Sequence, residues 1–151
     1  MGRIWLILAG CASLFASLLH VAIIFRGAQW YRKFGAGEQM AQLAESGSIY
    51  PSIVTCVLAL GLFLGSLYAF AAANMLFKLP FQKTVLYVLT GIFFIRGAIG
   101  LVFAVSPEIY ILADNSSLFW LVSSAICVML GTSYLLGTRW HHKDIHSVQF
   151  A

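Results

Sequence analysis

The stretch TVLYVLTGIFFIRGAIGLVFAV, Thr84–Val105, decides the fold. A bilayer span takes about 20 predominantly apolar residues, and this run supplies them around one charge, Arg96. It lacks the period-two alternation of a membrane barrel strand. A helix satisfies its own backbone hydrogen bonds in lipid, so the run reads as a transmembrane helix. Three more runs have the same character. They are Ile4 to Phe25, closed by Arg26; Ser52 to Phe77, between Pro51 and Lys78; and Leu118 to Gly137, between Ser116-Ser117 and Arg139. Proline suits a first helical position because its missing N–H has no intrahelical partner there.

The whole chain agrees with its spans. Of 151 residues, 61% are hydrophobic and 9% charged, and the mean hydropathy is +0.91. A soluble domain carries roughly 25% charged residues. A soluble monomer is therefore excluded, as is a disordered chain, which needs low hydrophobicity and high net charge. The expected fold is all-α: one domain over 1–151, an integral membrane protein built as an antiparallel four-helix transmembrane bundle.

Lysine and arginine set the orientation, because cytoplasmic loops carry their excess. Four spans put both termini on one side, with Arg3, Lys78, Lys83, Arg139 and Lys143; the other side holds Arg26, Arg32 and Lys33. Both termini are expected in the cytoplasm. Trp5 and Trp140 mark the inner edge, Trp30 and Trp120 the outer, as in an interfacial belt. The net charge of +4 is then topological, and no nucleic-acid partner is expected.

The first outer loop, Arg26 to Pro51, has its own pattern. Met40, Leu43 and Ala44 share one helical face, and Glu38, Gln42 and Glu45 the opposite one. A short amphipathic helix over 38–46 is expected, lying on the membrane surface. The series His20, Tyr31-Arg32, Gly35-Ala36-Gly37-Glu38, Met40, Ala44-Glu45, Gly47-Ser48, Pro51 and Arg96-Gly97 resembles a group of small four-span bacterial membrane proteins. That resemblance covers about half of the chain. It implies a bacterial cytoplasmic (inner) membrane and transfers no catalytic role.

Small residues mark packing faces. Ala9, Ser13 and Ser17 lie on the first span, Gly61, Gly65, Ala69 and Ala73 on the second, and Ser123, Cys127 and Gly131 on the fourth. Such strips let helix backbones approach. They serve packing within the bundle, or a homodimer through Gly61 and Gly65. Cys11, Cys56 and Cys127 stand at different depths, too far apart for disulfides. Leu8-Ala9-Gly10-Cys11 spells a lipoprotein box, but the apolar stretch before it is too short for a signal segment. His142 and His146 are one helical turn apart in the polar tail, without the ligands that would complete a metal site. No metal, cofactor or catalytic residue is expected.

Arg96 is the polar anomaly. An arginine at a span centre costs roughly 2.5–3.5 kcal/mol on insertion scales and marks a functional site by default. At about 1.5 Å per residue it stands about 18 Å from the inner edge, and His20 about 24 Å. Ser123, Ser124 and Thr55 fall in a similar layer. No span contains Asp or Glu. Compensation must come from a loop carboxylate (Glu38, Glu45, Glu108 or Asp114), from carbonyls, hydroxyls and water, or from an anionic ligand on the guanidinium fork. Glu38 is the favoured carboxylate, since Gly35 and Gly37 let the loop bend inward. The difficulty is that helical side chains lean toward the helix N-terminus, here away from that loop.

The function that follows is non-catalytic. The protein binds a membrane lipid, a hydrophobic small molecule or a partner membrane protein at a polar intramembrane site of Arg96, His20, Glu38 and Glu45. The alternatives are a small carrier or channel with an outward-open cavity, and a membrane-embedded enzyme. Against conduction, the inner half offers few polar residues besides Ser66, Tyr68 and Asn74, and a pore needs polar lining through its depth.

The orientation is checked by cysteine labelling in a background lacking the native cysteines. Ser46→Cys should react with an impermeant reagent in intact cells and Ser147→Cys only after lysis. The opposite pattern inverts the topology.

Overall fold

Each long apolar run forms a helix that satisfies its own backbone hydrogen bonds, and Gly27, Gly35, Gly47 and Asn74 end or follow helices with a positive φ. In the computed structural model, which describes residues 2–106 and 117–149 and the side chains of the last helix as far as Arg139, there are six helices. They are α1 (Gly2–Arg26), α2 (Ala28–Lys33), α3 (Glu38–Glu45), α4 (Tyr50–Ala72), α5 (Gln82–Val105) and α6 (Ser117–Gln149). No strand occurs among the described residues. Four of the helices are long and apolar enough to cross a membrane, the last over Ser117–Arg139. Glu108, Asp114 and Ser116 lie outside the described residues, as do the side chains of Trp140, His142 and His146.

The spans keep most of their apolar surface on the outside. Only 28, 28, 22 and 28% of their most apolar windows are buried within the chain. Phe15 is 70% and Met129 69% exposed. A water-soluble monomer rarely exposes contiguous apolar patches beyond a few hundred Å², so this surface suggests an integral membrane protein.

Six cross-helix contacts define the packing. Gly10 of α1 faces the ring of Phe70 in α4, and Ser17 Oγ donates to the Ala59 carbonyl at 2.8 Å. Leu6 fills the space left by Gly137 of α6, and Ser13 shares a 2.9 Å hydrogen bond with the Tyr134 hydroxyl. Helix α5 lies against α6, with Phe93 stacked on Tyr134 at 5.7 Å between centroids and Gly97 against Val128. The core gathers Leu6, Ala9, Ala69, Leu86, Phe93, Leu130 and Tyr134. As the strips predict, Ala9, Ser13, Ser17, Gly65, Ala69 and Ala73 are buried. Gly65 meets Leu89 and Tyr134 inside the chain, whereas Gly61 faces open space. The pair expected at a dimer face is therefore divided: Gly65 is committed to the interior.

The second span is shorter than its apolar run. It ends at Ala72 rather than Phe77, because Asn74 adopts a left-handed φ of 55°. The Asn74 N–H then bonds the Ala71 carbonyl and the Met75 N–H the Phe70 carbonyl. This pair of bonds is a Schellman stop, in which Asn is the usual substitute for Gly.

The loop after α1 is folded rather than extended. Helix α2, not anticipated from the sequence, ends in the same motif: Gly35 N–H to Arg32 O and Ala36 N–H to Tyr31 O. Gly35 has φ +78°, and a Cβ there would fall within the ring of Phe119 at the start of α6. Helix α3 follows at Glu38–Glu45, one residue short of the predicted end. Ala41 is buried with Tyr31 and Ile23, and Ala44 packs on them, while Leu43 is exposed. The small side chains of α3 face α2.

Gly35→Ala should lower thermal stability in detergent by about 1–3 kcal/mol from overpacking on Phe119, with the strain of a left-handed alanine in addition. Gly61→Ala should stay within about 1 kcal/mol of wild type, as at an open helical position. Equal losses at both positions would show that Phe119 does not sit on Gly35.

Candidate functional site

Two arginines organise the polar groups of this chain, and they do so separately. Arg32 stands in the last turn of α2 and Glu38 in the first turn of α3, each at the helix end whose partial charge it complements. The turn through Gly35 folds them together. Arg32 Nε donates to Glu38 Oε2 at 2.7 Å and Nη2 to Glu38 Oε1 at 2.7 Å. Nη1 donates to Glu45 Oε1 at 2.6 Å and Nη2 to Glu45 Oε2 at 3.0 Å. Gln42 Nε2 adds a bond to Glu38 Oε1 at 3.3 Å. One planar guanidinium thus serves two carboxylates in fork geometry.

This arrangement corrects the expected pairing of Glu38 with Arg96. Both Glu38 and Glu45 are held by Arg32 and belong to the α2–α3 clamp. The signal was present in the sequence as a cation and two acids flanking Gly35-Ala36-Gly37, but the segment before the glycines reads as loop and hides Arg32. The hydrogen bonds from Arg32 hold both carboxyls below their ordinary value of 4.5, and the two carboxylates raise the Arg32 guanidinium.

Arg96 occupies the seam between α5 and α6. Its guanidinium extends toward the C-terminal end of α5, against the usual lean, because Gly100 one turn on has no side chain. A Cβ at Gly100 would stand 2.7 Å from Arg96 Nη1 and would collide with Ser124 Oγ. The guanidinium carbon lies 5.1 Å from the centroid of the Trp120 ring, within the range of a cation–π contact. Trp120 is packed in turn by Phe103 at 4.9 Å and Phe119 at 5.9 Å between centroids. It is 9% exposed, with its ring turned into the bundle beside Arg96.

Three atoms at this place are buried without a hydrogen-bond partner among the described residues: Arg96 Nη1, Trp120 Nε1 and Ser124 Oγ. Buried polar groups are nearly always satisfied, so three orphans in one cluster call for an acceptor. The other residues expected in this layer are occupied elsewhere. His20 Nδ1 donates to its own helix at Ala16 O, 2.7 Å. Thr55 Oγ1 donates to Pro51 O at 2.8 Å and Ser123 Oγ to Trp120 O at 3.2 Å. No described hydrogen bond or ion pair joins His20 to Arg96. Of the four predicted site residues, Arg96 alone stands at this cluster. Ser124 had been placed at its depth, and the part of Trp120 was hidden by its position near a span end.

Among the described residues no three His, Cys, Asp or Glu side chains gather as a metal site would require. No protein-family model, curated protein or solved structure matches the chain.

The clamp should make the α2–α3 unit acid-labile. Both carboxyls titrate below their unfolded value, so their contribution is complete above about pH 4.5 and is lost as pH falls through the lower folded values. Wild-type melting temperature should drop across that acid window, and Arg32→Gln should flatten the drop. Identical pH profiles would remove the clamp as a source of stability.

Proposed function

We propose that this is a small, non-catalytic integral membrane protein that binds a lipid or lipid-like amphiphile at Arg96. The observation that carries the reading is the Arg96 guanidinium, seated in an apolar seam with Nη1 buried and unpartnered, in a chain whose spans contain no acidic residue. A group so costly to bury is held in a membrane for a purpose. Pairings such as Gly10 with Phe70, Leu6 with Gly137 and Gly97 with Val128 support an antiparallel bundle. The lysine and arginine distribution supports cytoplasmic termini, and the resemblance to small four-span bacterial membrane proteins supports a bacterial inner membrane. Helix α3, with its exposed Leu43, is read as lying in the opposite interface.

Binding is favoured over transport by the way other polar groups are used. Ser66, Thr90, Thr132 and Thr138 all turn their hydroxyls back onto carbonyls of their own helices. They line no polar path toward the α4–α5 end.

The test is native mass spectrometry of protein purified in a neutral maltoside detergent. Wild type should retain membrane lipid, and Arg96→Leu should lose it while melting at the same temperature or higher, since an apolar residue in place of a buried charge is often neutral or stabilising. Equal retention by both would overturn the reading. So would a loss of about 3–5 kcal/mol in Glu108→Gln or Asp114→Asn that is non-additive with Arg96→Leu, the mark of an internal buried pair.

A further inference from the structure

The chemistry of the Arg96 site specifies more than occupancy. Its orphaned groups are a guanidinium N–H, an indole N–H and a serine hydroxyl. The first two can only donate, and the third donates as readily as it accepts. They come from two helices: Arg96 and Ser124 meet at Gly100, and the Trp120 ring lies 5.1 Å from the guanidinium carbon. Trp120 and Ser124 are one helical turn apart on the same face of α6. Both are more than nine-tenths buried. A neutral amide or alcohol headgroup would bring donors of its own into a site that offers no described carboxylate.

From this set we infer that the Arg96 seam is a three-donor cradle for the oxyanion headgroup of a membrane amphiphile, a lipid phosphate or a fatty carboxylate. The inference rests on the reading that Arg96 marks a ligand site and names the ligand's chemistry. The guanidinium fork takes two headgroup oxygens. Ser124 Oγ and Trp120 Nε1 direct a third contact from the α6 side. The surrounding helix faces decide that the anion arrives on an acyl chain. Ile99 and Val102 on α5, and Leu121 and Val122 on α6, are exposed and apolar. A chain laid along them keeps its methylene groups among apolar atoms while the headgroup turns inward. Gly100 gives the donors their room: a side chain there would push against both Arg96 and Ser124.

Two substitutions remove one donor each. Ser124→Ala deletes the hydroxyl and little else, and Trp120→Phe deletes the indole N–H together with part of the ring, keeping a smaller aromatic face for Arg96. Removing an unpartnered buried donor has no hydrogen bond to lose, so Ser124→Ala should not lower the melting temperature of delipidated protein in neutral detergent, and Trp120→Phe should lower it only by the packing of the lost ring. Against dodecyl phosphate and against oleate, each variant should bind about tenfold more weakly than wild type, the effect of one hydrogen bond to a charged group. Arg96→Leu should abolish binding.

The arms separate the sources of the anion. Tighter binding of dodecyl phosphate assigns a lipid phosphate, and tighter binding of oleate a fatty carboxylate; either supports the cradle. Inorganic phosphate binding as tightly as dodecyl phosphate would overturn the amphiphile. Equal binding of monoolein, which is uncharged, would overturn the oxyanion but leave Arg96 as a ligand site. Unchanged affinity in Ser124→Ala and Trp120→Phe, with loss in Arg96→Leu, would overturn the cradle and keep the broader reading. Binding of none of these probes by wild type would overturn both.

Discussion

A guanidinium inside a bundle of apolar helices imposes three requirements: room, a favourable face and oxygen. Gly100 supplies the room and Trp120 the face. The packing of α5 on α6 follows from these two. Gly97 lets Val128 approach, Gly100 admits Ser124 and Arg96 together, and Phe103 closes over Trp120. The third requirement is unmet by the described side chains, and that deficit gives the molecule its functional reading. A leucine at position 96 would remove the deficit.

The remaining polar side chains show how the chain handles hydrogen bonding when no ligand is involved. Hydroxyls in the spans bond carbonyls one turn back, a local solution that needs no partner helix. Two exceptions cross between helices: Ser17 to Ala59 O, and Ser13 with Tyr134. Both tie α1 to a neighbour where small residues permit close approach. At the α2–α3 end the solution is ionic, with Arg32 satisfied by two carboxylates at the surface. The contrast between the arginines is instructive. Arg32 donates four hydrogen bonds and is exposed; Arg96 Nη1 is buried without a partner among the described residues.

What the sequence revealed depended on the range of the underlying physics. Span existence and the oddity of Arg96 are statements about single segments against a bilayer, and both were legible. Helix α3 was legible as a separation of polar from apolar side chains. Span ends were less so, since hydropathy cannot distinguish an apolar helical residue from an apolar residue beyond a left-handed Asn74. Partner choice was the least legible. Glu38 lies a few residues beyond Arg32 and far along the chain from Arg96, but the short α2 gave no apolar run to announce it. Trp120 read as an interfacial residue because its position near a span end said nothing about which way its ring turns. The α5–α6 cluster arises from register between two helices, which no single segment encodes.

The seams of the fold also prescribe an order of biogenesis. Helix α1 is made before α4, α5 and α6, yet one of its two packing faces matches α6. The bond between Ser13 and Tyr134 joins residues 121 positions apart. Helix α4 can settle on α1 early, through Gly10 with Phe70 and Ser17 with Ala59 O. The Leu6 and Ser13 face waits in lipid until Gly137 and Tyr134 have been inserted. The contacts group the helices as two pairs, α1 with α4 and α5 with α6. The Arg96 seam lies wholly within the second pair, so its residues are complete without any contact from α1 or α4.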